Sequence, residues 1–164
     1  MSAPFLADAE ATAALGARLA ATRPTRAVVH LEGELGAGKS TLARALLRAL
    51  GVMGTIRSPT YTLIERYALP DGEAAHLDLY RLGDAGELDF LGMDELQDAA
   101  ALWLVEWPER GGTALPAPDL VIRLRWEAEG RRAVLEPRSV LGQDWIQRLD
   151  AAAGGSTTGT SGST

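Results

Sequence analysis

Residues 33–41 read Gly-Glu-Leu-Gly-Ala-Gly-Lys-Ser-Thr, a match to the pattern G-x-x-x-x-G-K-[ST]. This run constrains the fold more than any other, because such a loop works only between a buried strand and the start of a helix. The flanks comply. Ala27-Val28-Val29-His30-Leu31 is a short apolar, β-rich run. From Thr41 to Leu50 the leucines at 42, 46, 47 and 50 make a helical stripe that stops at Gly51. With glycine near 7% of residues, a chance match is expected about once in a few hundred chains of this length, and the flanking strand and helix lower that further. Lys39 is the only lysine beside 15 arginines. Where any surface cation would serve, the chain uses arginine. At position 39 it uses a compact ammonium on a flexible stem.

The loop implies a specific chemistry. Backbone N–H groups of Gly36, Ala37 and Gly38 curl around phosphate oxygens, and the following helix adds the positive end of its dipole. Lys39 is placed to reach the β- and γ-phosphates, the Ser40 hydroxyl to bind Mg²⁺, and Thr41 to touch the α-phosphate. A nucleoside triphosphate, ATP or GTP, and Mg²⁺ are therefore the expected ligands. A guanine-type N-K-x-D signature is impossible with one lysine.

A magnesium site needs a carboxylate at the end of another buried strand. Asp78 lies in His76-Leu77-Asp78-Leu79-Tyr80-Arg81 and Glu106 ends the apolar run Ala101-Leu102-Trp103-Leu104-Val105. Spacing leaves open which acid takes the metal and which positions water. Ser58-Pro59-Thr60-Tyr61 falls where many P-loop proteins place a hydroxyl that senses the γ-phosphate, which makes Thr60 a candidate. In Trp107-Pro108 the proline is expected to hold Trp107 extended, with the indole free to stack near a nucleotide. Trp103, Trp126 and Trp145 fit core or strand patterns. His30 and His76 read as structural histidines.

Strands and helices alternate early: a helix from Asp8 to about Ala21, the strand at 27–31, the helix at 41–50. A hairpin follows, with strands at 61–67 and 74–80 around Pro70-Asp71-Gly72. Asp84 caps a short helix, a second covers 93–99, and a second hairpin joins 120–126 to 132–135 across residues 127–130. A last helical turn spans 144–149. The expected fold is α/β, a P-loop NTPase-like three-layer arrangement with a mixed central β-sheet flanked by helices. Residues 1–150 are expected to form one P-loop ATPase domain and 151–164 a disordered polar tail. There is no cysteine, no basic n-region at the start, and no apolar run long enough to span a bilayer. A cytoplasmic protein without a membrane partner is expected. The net charge of −6 disfavours a grip on nucleic acid by this chain alone. Eight acids and no Lys or Arg fall between Leu82 and Glu109, ordinarily a solvated face, alternatively a dock for a basic partner.

Four motifs in order, Gly-Glu-Leu-Gly-Ala-Gly-Lys-Ser-Thr, Ser-Pro-Thr-Tyr-Thr-Leu, His-Leu-Asp-Leu-Tyr-Arg-Leu and Val-Glu-Trp-Pro-Glu-Arg-Gly, resemble the TsaE (YjeE) family over roughly residues 5–145. The resemblance implies a small ATPase required for N6-threonylcarbamoyladenosine at position 37 of tRNAs. It implies association with the TsaD–TsaB pair, whose cycle ATP hydrolysis resets, and contact with tRNA only through that complex. It also implies that Glu106 is the Mg²⁺-associated acid, Asp78 the Walker-B-like acid, Thr60 the switch-like hydroxyl and Trp107 the aromatic near the nucleotide. Thr12 and Arg131 enter only through the resemblance, as nucleotide contacts. Ser40 departs from the threonine common in the family and keeps the hydroxyl. A small-molecule P-loop kinase is the rival reading, and the Arg-free interval 82–109 argues against the lid it would need. Lys39→Ala is expected to end nucleotide binding in titration calorimetry; wild-type affinity in that variant would refute the assignment of the loop.

Overall fold

The computed structural model describes residues 2–154. Its centre is a seven-stranded sheet. The strands are β1 (Phe5–Leu6), β2 (Ala27–Glu32), β3 (Ile64–Leu69), β4 (Gly72–Asp78), β5 (Ala100–Glu106), β6 (Leu120–Glu127) and β7 (Gly130–Pro137), in the order β1-β7-β6-β2-β5-β4-β3. β6, β2, β5 and β4 run parallel, while β3, β7 and β1 join antiparallel at the two edges. The sheet is mixed, as expected. β5 is buried at every residue, which is what a strand covered on both faces requires.

Helices α1 (Ala9–Thr22), α2 (Lys39–Ala49) and α4 (Val140–Gly154) share one core with a face of the sheet, in which Leu15, Leu19, Leu46, Leu47, Leu104 and Trp145 are fully or almost fully enclosed. The other face is covered by α3 (Met93–Ala99) and the short 3₁₀ turns around it, through Leu88, Met93, Leu96 and Leu115 against Leu77, Trp103 and Val105. This gives three layers. Asp8 caps α1 by accepting from the Ala11 amide at 2.9 Å. Asp84 accepts from the Gly86 amide at 2.9 Å and opens a 3₁₀ helix over Ala85–Leu91.

Several expectations shift. The strand expected from Tyr61 begins at Ile64, because the Leu63 amide donates to the Pro59 carbonyl at 2.9 Å and Leu63 is left-handed, φ 67°. That turn overrides the β-propensity of Tyr61 and Thr62. β4 ends at Asp78 rather than Tyr80. β1, two residues long, carried no pattern in the sequence and forms only by pairing with Arg131 and Arg132 of β7. The last helix is longer at both ends than residues 144–149. Most of the expected polar tail, residues 155–164, lies outside the described residues.

Helices α1 and α2 pack closely at Gly16. A Cβ there would stand 2.8 Å from the Ala45 Cβ and 2.9 Å from the backbone of Ala45 and Leu46. Backbone atoms cannot swing away, so the strain exceeds the ~1 kcal/mol that alanine gains over glycine in a helix. Gly16→Ala should therefore lower stability, by roughly 1–3 kcal/mol for an overpacked contact. Urea unfolding monitored by circular dichroism would check this.

Candidate functional site

The parallel register builds the site. Asp78 pairs with Glu106 at the carboxyl ends of adjacent strands β4 and β5, and Leu31 of β2 pairs with Glu106 from the other side. Just beyond β2 the chain enters the loop 33–38 and then α2, so the helix start and both acids meet at one edge of the sheet. They line a cleft of about 410 Å³ with Gly36, Gly38, Ser40, Thr41, Thr60, Tyr80, Arg81, Trp107 and Arg131. Ligands of open α/β sheets bind at this carboxyl edge.

The loop shows why its composition matters. Gly38, at φ 105°, adopts a conformation that a side chain disfavours, and a Cβ on it would come within 3.1 Å of Arg131. Ala37 is buried beneath the loop, with its amide donating to the Glu34 carbonyl at 3.1 Å. The first amides of α2 have no intrahelical acceptor, which suits an anion. Lys39 is itself buried, at 5% exposure. Its ammonium donates to the Gly33 carbonyl and, at 3.1 Å, to that of Glu34. It also lies 4.0 Å from the centre of the Trp107 ring. Burial holds the Lys39 ammonium below its usual pKa, and Glu106, Asp78 and Glu109 oppose that shift.

Glu106 is 2% exposed and fully engaged. The Ser40 hydroxyl donates to its two oxygens at 2.9 and 3.0 Å, and His76 Nε2 lies 2.6 Å from Oε2. A hydroxyl that gives its proton to Glu106 keeps its lone pairs for a cation. Asp78 is engaged differently, accepting from the Tyr80 amide at 3.1 Å. Burial pushes its carboxyl above the usual range; the Tyr80 hydrogen bond opposes this, and the Glu106 charge adds to the rise.

Among the described residues no group of three or more His, Cys, Asp or Glu could hold a metal on its own. One hydroxyl and two acids do suit magnesium, which takes one or two carboxylates and completes its shell with phosphates and water.

Trp107 is not extended. It is left-handed, φ 56° and ψ 51°, at the entry of the 3₁₀ turn Pro108–Arg110. Proline excludes the right-handed helical region for the residue before it. The left-handed bend lets the chain leave β5 sharply and lays the indole over Lys39 and 5.0 Å from the Tyr80 ring. Thr60 sits in the turn at the cleft edge, its hydroxyl 2.6 Å from that of Ser58. Arg131 donates to the Gly36 carbonyl at 3.3 Å and stacks 4.1 Å over Trp126. Trp126 lies in β6, on the strand its pattern indicated, and is 54% exposed. Thr12 is not among the residues lining the cleft: it is buried in α1 and its hydroxyl donates to the Asp8 carbonyl at 3.4 Å. His76 is the residue sequence reasoning missed. Its one signal was position, two residues before Asp78 and so on the same face of β4.

Fold and loop together define a P-loop-type α/β protein. A family model described as threonylcarbamoyl adenosine biosynthesis protein TsaE matches residues 6–134. The tRNA threonylcarbamoyladenosine biosynthesis protein TsaE of Haemophilus influenzae is 39% identical over 119 residues, covering 73% of this chain and 75% of that one. The protein of the same name from Streptomyces coelicolor is 43% identical over 114 residues, covering 67% and 76%. The crystal structure of Bacillus subtilis YdiB superposes with a TM-score of 0.78 at 25% identity, covering 93% of this chain and 95% of that one. The chain belongs to the TsaE family of threonylcarbamoyl adenosine biosynthesis proteins. No helix among the described residues is long and apolar enough to cross a membrane.

Asp78 carries a stability cost with a definite sign. Its folded-state pKa lies above the ordinary 3.8, so the folded protein holds this proton more tightly than the unfolded chain. Stability is thus lost as pH rises from about 3.8 through the folded value, and the loss is complete above it. Asp78→Asn keeps an acceptor for the Tyr80 amide and removes the charge. In EDTA at pH 7 the variant should melt higher than wild type, and the difference should vanish towards the acid end. Scanning calorimetry across pH would show it; an equal or lower melting point at pH 7 would mean that the carboxylate is better solvated than its burial indicates.

Proposed function

We propose that this protein is a Mg²⁺-dependent ATPase that supports formation of N6-threonylcarbamoyladenosine in tRNA by binding and resetting the TsaD–TsaB complex. The observation that carries the ATPase reading is the pair of hydrogen bonds from Ser40 to Glu106, at 2.9 and 3.0 Å, at the mouth of the glycine loop. It unites the start of α2 with the end of β5 in one donor set for a phosphate-bound cation. Family membership supports the pathway, and the net charge of −6 suits action through proteins rather than a direct grip on tRNA.

Each residue has a task in this reading. The amides of Gly36, Ala37, Gly38, Lys39, Ser40 and Thr41 cradle the phosphates. Lys39 exchanges its loop carbonyls for β- and γ-phosphate oxygens. Ser40 and Glu106 would hold Mg²⁺, which would supply charge neutralisation to the phosphates. Asp78, with its raised pKa, positions the attacking water and draws off its proton. Thr60 reports occupancy of the γ-position to the 58–62 turn, while Trp107 and Arg131 flank the nucleotide.

The test is Mg²⁺-dependent phosphate release from ATP by the protein alone and then with TsaD plus TsaB from the same cell. Slow turnover alone and a clear rise with the pair are expected. Activity indifferent to the pair would sink the partner assignment, and phosphate transfer to an added small acceptor would move the reading to a kinase. Within the same assay, Glu106→Ala should lower hydrolysis by about 10²-fold or more, as for loss of a group that acts in the transition state, with a much smaller effect on ATP binding. Equal losses of both would count against a catalytic role.

A further inference from the structure

His76 has no task in the mechanism above, yet it is in direct contact with Glu106, which lines the cleft. Its side chain is 1% exposed and that of Glu106 is 3%. Its Nε2 lies 2.6 Å from Glu106 Oε2, and its Nδ1 is buried with no hydrogen-bond partner. A histidine kept only for packing in an apolar sheet would leave two polar nitrogens to desolvate, at a cost an aliphatic side chain avoids.

The geometry around Glu106 shows what the imidazole adds. Ser40 Oγ is nearly equidistant from the two carboxylate oxygens, at 2.9 and 3.0 Å. A single donor near the bisector of a carboxylate does not fix its plane, because the last torsion of glutamate is broad and roughly two-fold. A second donor on one oxygen breaks that symmetry. The tautomer follows by elimination. A proton on Nδ1 alone would set the Nε2 lone pair against a carboxylate oxygen at 2.6 Å and bury an N–H without an acceptor. A proton on Nε2 satisfies the contact.

We infer that His76 is a positioning residue: its Nε2–H locks the Glu106 carboxylate in the orientation from which Glu106 accepts the Ser40 hydroxyl and faces the cleft. This rests on the Mg²⁺–nucleotide reading of the cleft. Asp78, two residues on along β4, reaches the same edge with its own partner, the Tyr80 amide, so the two acids are oriented independently.

Two variants and two further readouts test it. His76→Gln offers an amide N–H to the same oxygen, and His76→Phe fills the volume without one. Long-range ¹H–¹⁵N spectra of the wild type should show His76 protonated at Nε2, and its nitrogen shifts should move in Glu106→Gln. In His76→Phe, kcat for ATP hydrolysis and Mn²⁺ affinity of the ADP complex, read by electron paramagnetic resonance, should each fall by about 10–100-fold, the usual effect of removing an outer partner of a metal ligand. KM for ATP should stay within about threefold, and His76→Gln should recover most of the loss. An Nδ1–H tautomer, or His76→Gln and His76→Phe behaving alike, would overturn the positioning role. A wild type that neither binds nor hydrolyses MgATP would instead overturn the nucleotide reading itself, and the spectra would still report on the His76–Glu106 pair.

Discussion

A carboxylate sealed at the end of an apolar strand is stable only if its surroundings supply donors. Glu106 follows Leu104 and Val105, is 2% exposed, and has a parallel strand on either side of it. The Born cost of leaving such a charge unpaired is several kcal/mol even after relaxation. Its two donors come from different elements, Ser40 from the first turn of α2 and His76 from β4. The carboxylate thereby ties the helix start to two neighbouring strands. Neither the loop nor the strand ends could drift without leaving it bare, so the requirement to satisfy one charge also fixes the shape of the cleft.

The parts of this arrangement legible in the sequence are those decided locally. The glycine loop, the leucine stripe of α2, the Asp8 cap and the two hairpins each follow from short-range spacing. So does the placement of Glu106 at a strand end, because the apolar run before it marks the buried strand; Asp78 was expected inside a strand reaching Tyr80 and instead ends β4. What was not legible depends on partners distant in sequence. β1 exists only because β7 offers it an edge. The stacking of Arg131 on Trp126 joins the two strands of the second hairpin in a way that neither strand's pattern shows. His76 looked structural because nothing within the strand says that the side chain of Glu106, thirty residues on and two positions past its register partner Leu104, reaches it diagonally. Trp107 was misread for a different reason. The residue before proline has two ways to avoid the right-handed helix, and the sharp exit from β5 chooses the less common one.

That choice has company. Among the described residues only three non-glycines have positive φ: Leu63, Trp107 and Ala128. Ala128 is at the tip of the second hairpin, where the turn accounts for it. The other two flank the cleft, one in the turn that carries Thr60 and one over Lys39. Each costs about 1–3 kcal/mol and persists only where surrounding contacts over-determine it. Those contacts are visible. The Leu63 carbonyl accepts from the Asp78 amide at 3.0 Å, and the Glu106 carbonyl accepts from the Leu79 amide at 3.1 Å. The backbone on either side of both acids is thus hydrogen-bonded to the strained turn or across to the neighbouring strand.

The consequence is mechanical. A shift of the 58–62 turn pulls on the Asp78 backbone through Leu63, and the Arg81 guanidinium, 4.7 Å from the Tyr61 ring, rides on the same turn. Trp107 lies on the opposite side, above the ammonium that a phosphate would draw forward. The acids are held by sheet register and buried donors, whereas the turn and the indole are held by the half-buried contacts of Leu63 and Trp107. A site divided in this way ties the geometry of its two acids to the sheet and that of the groups around them to the loops.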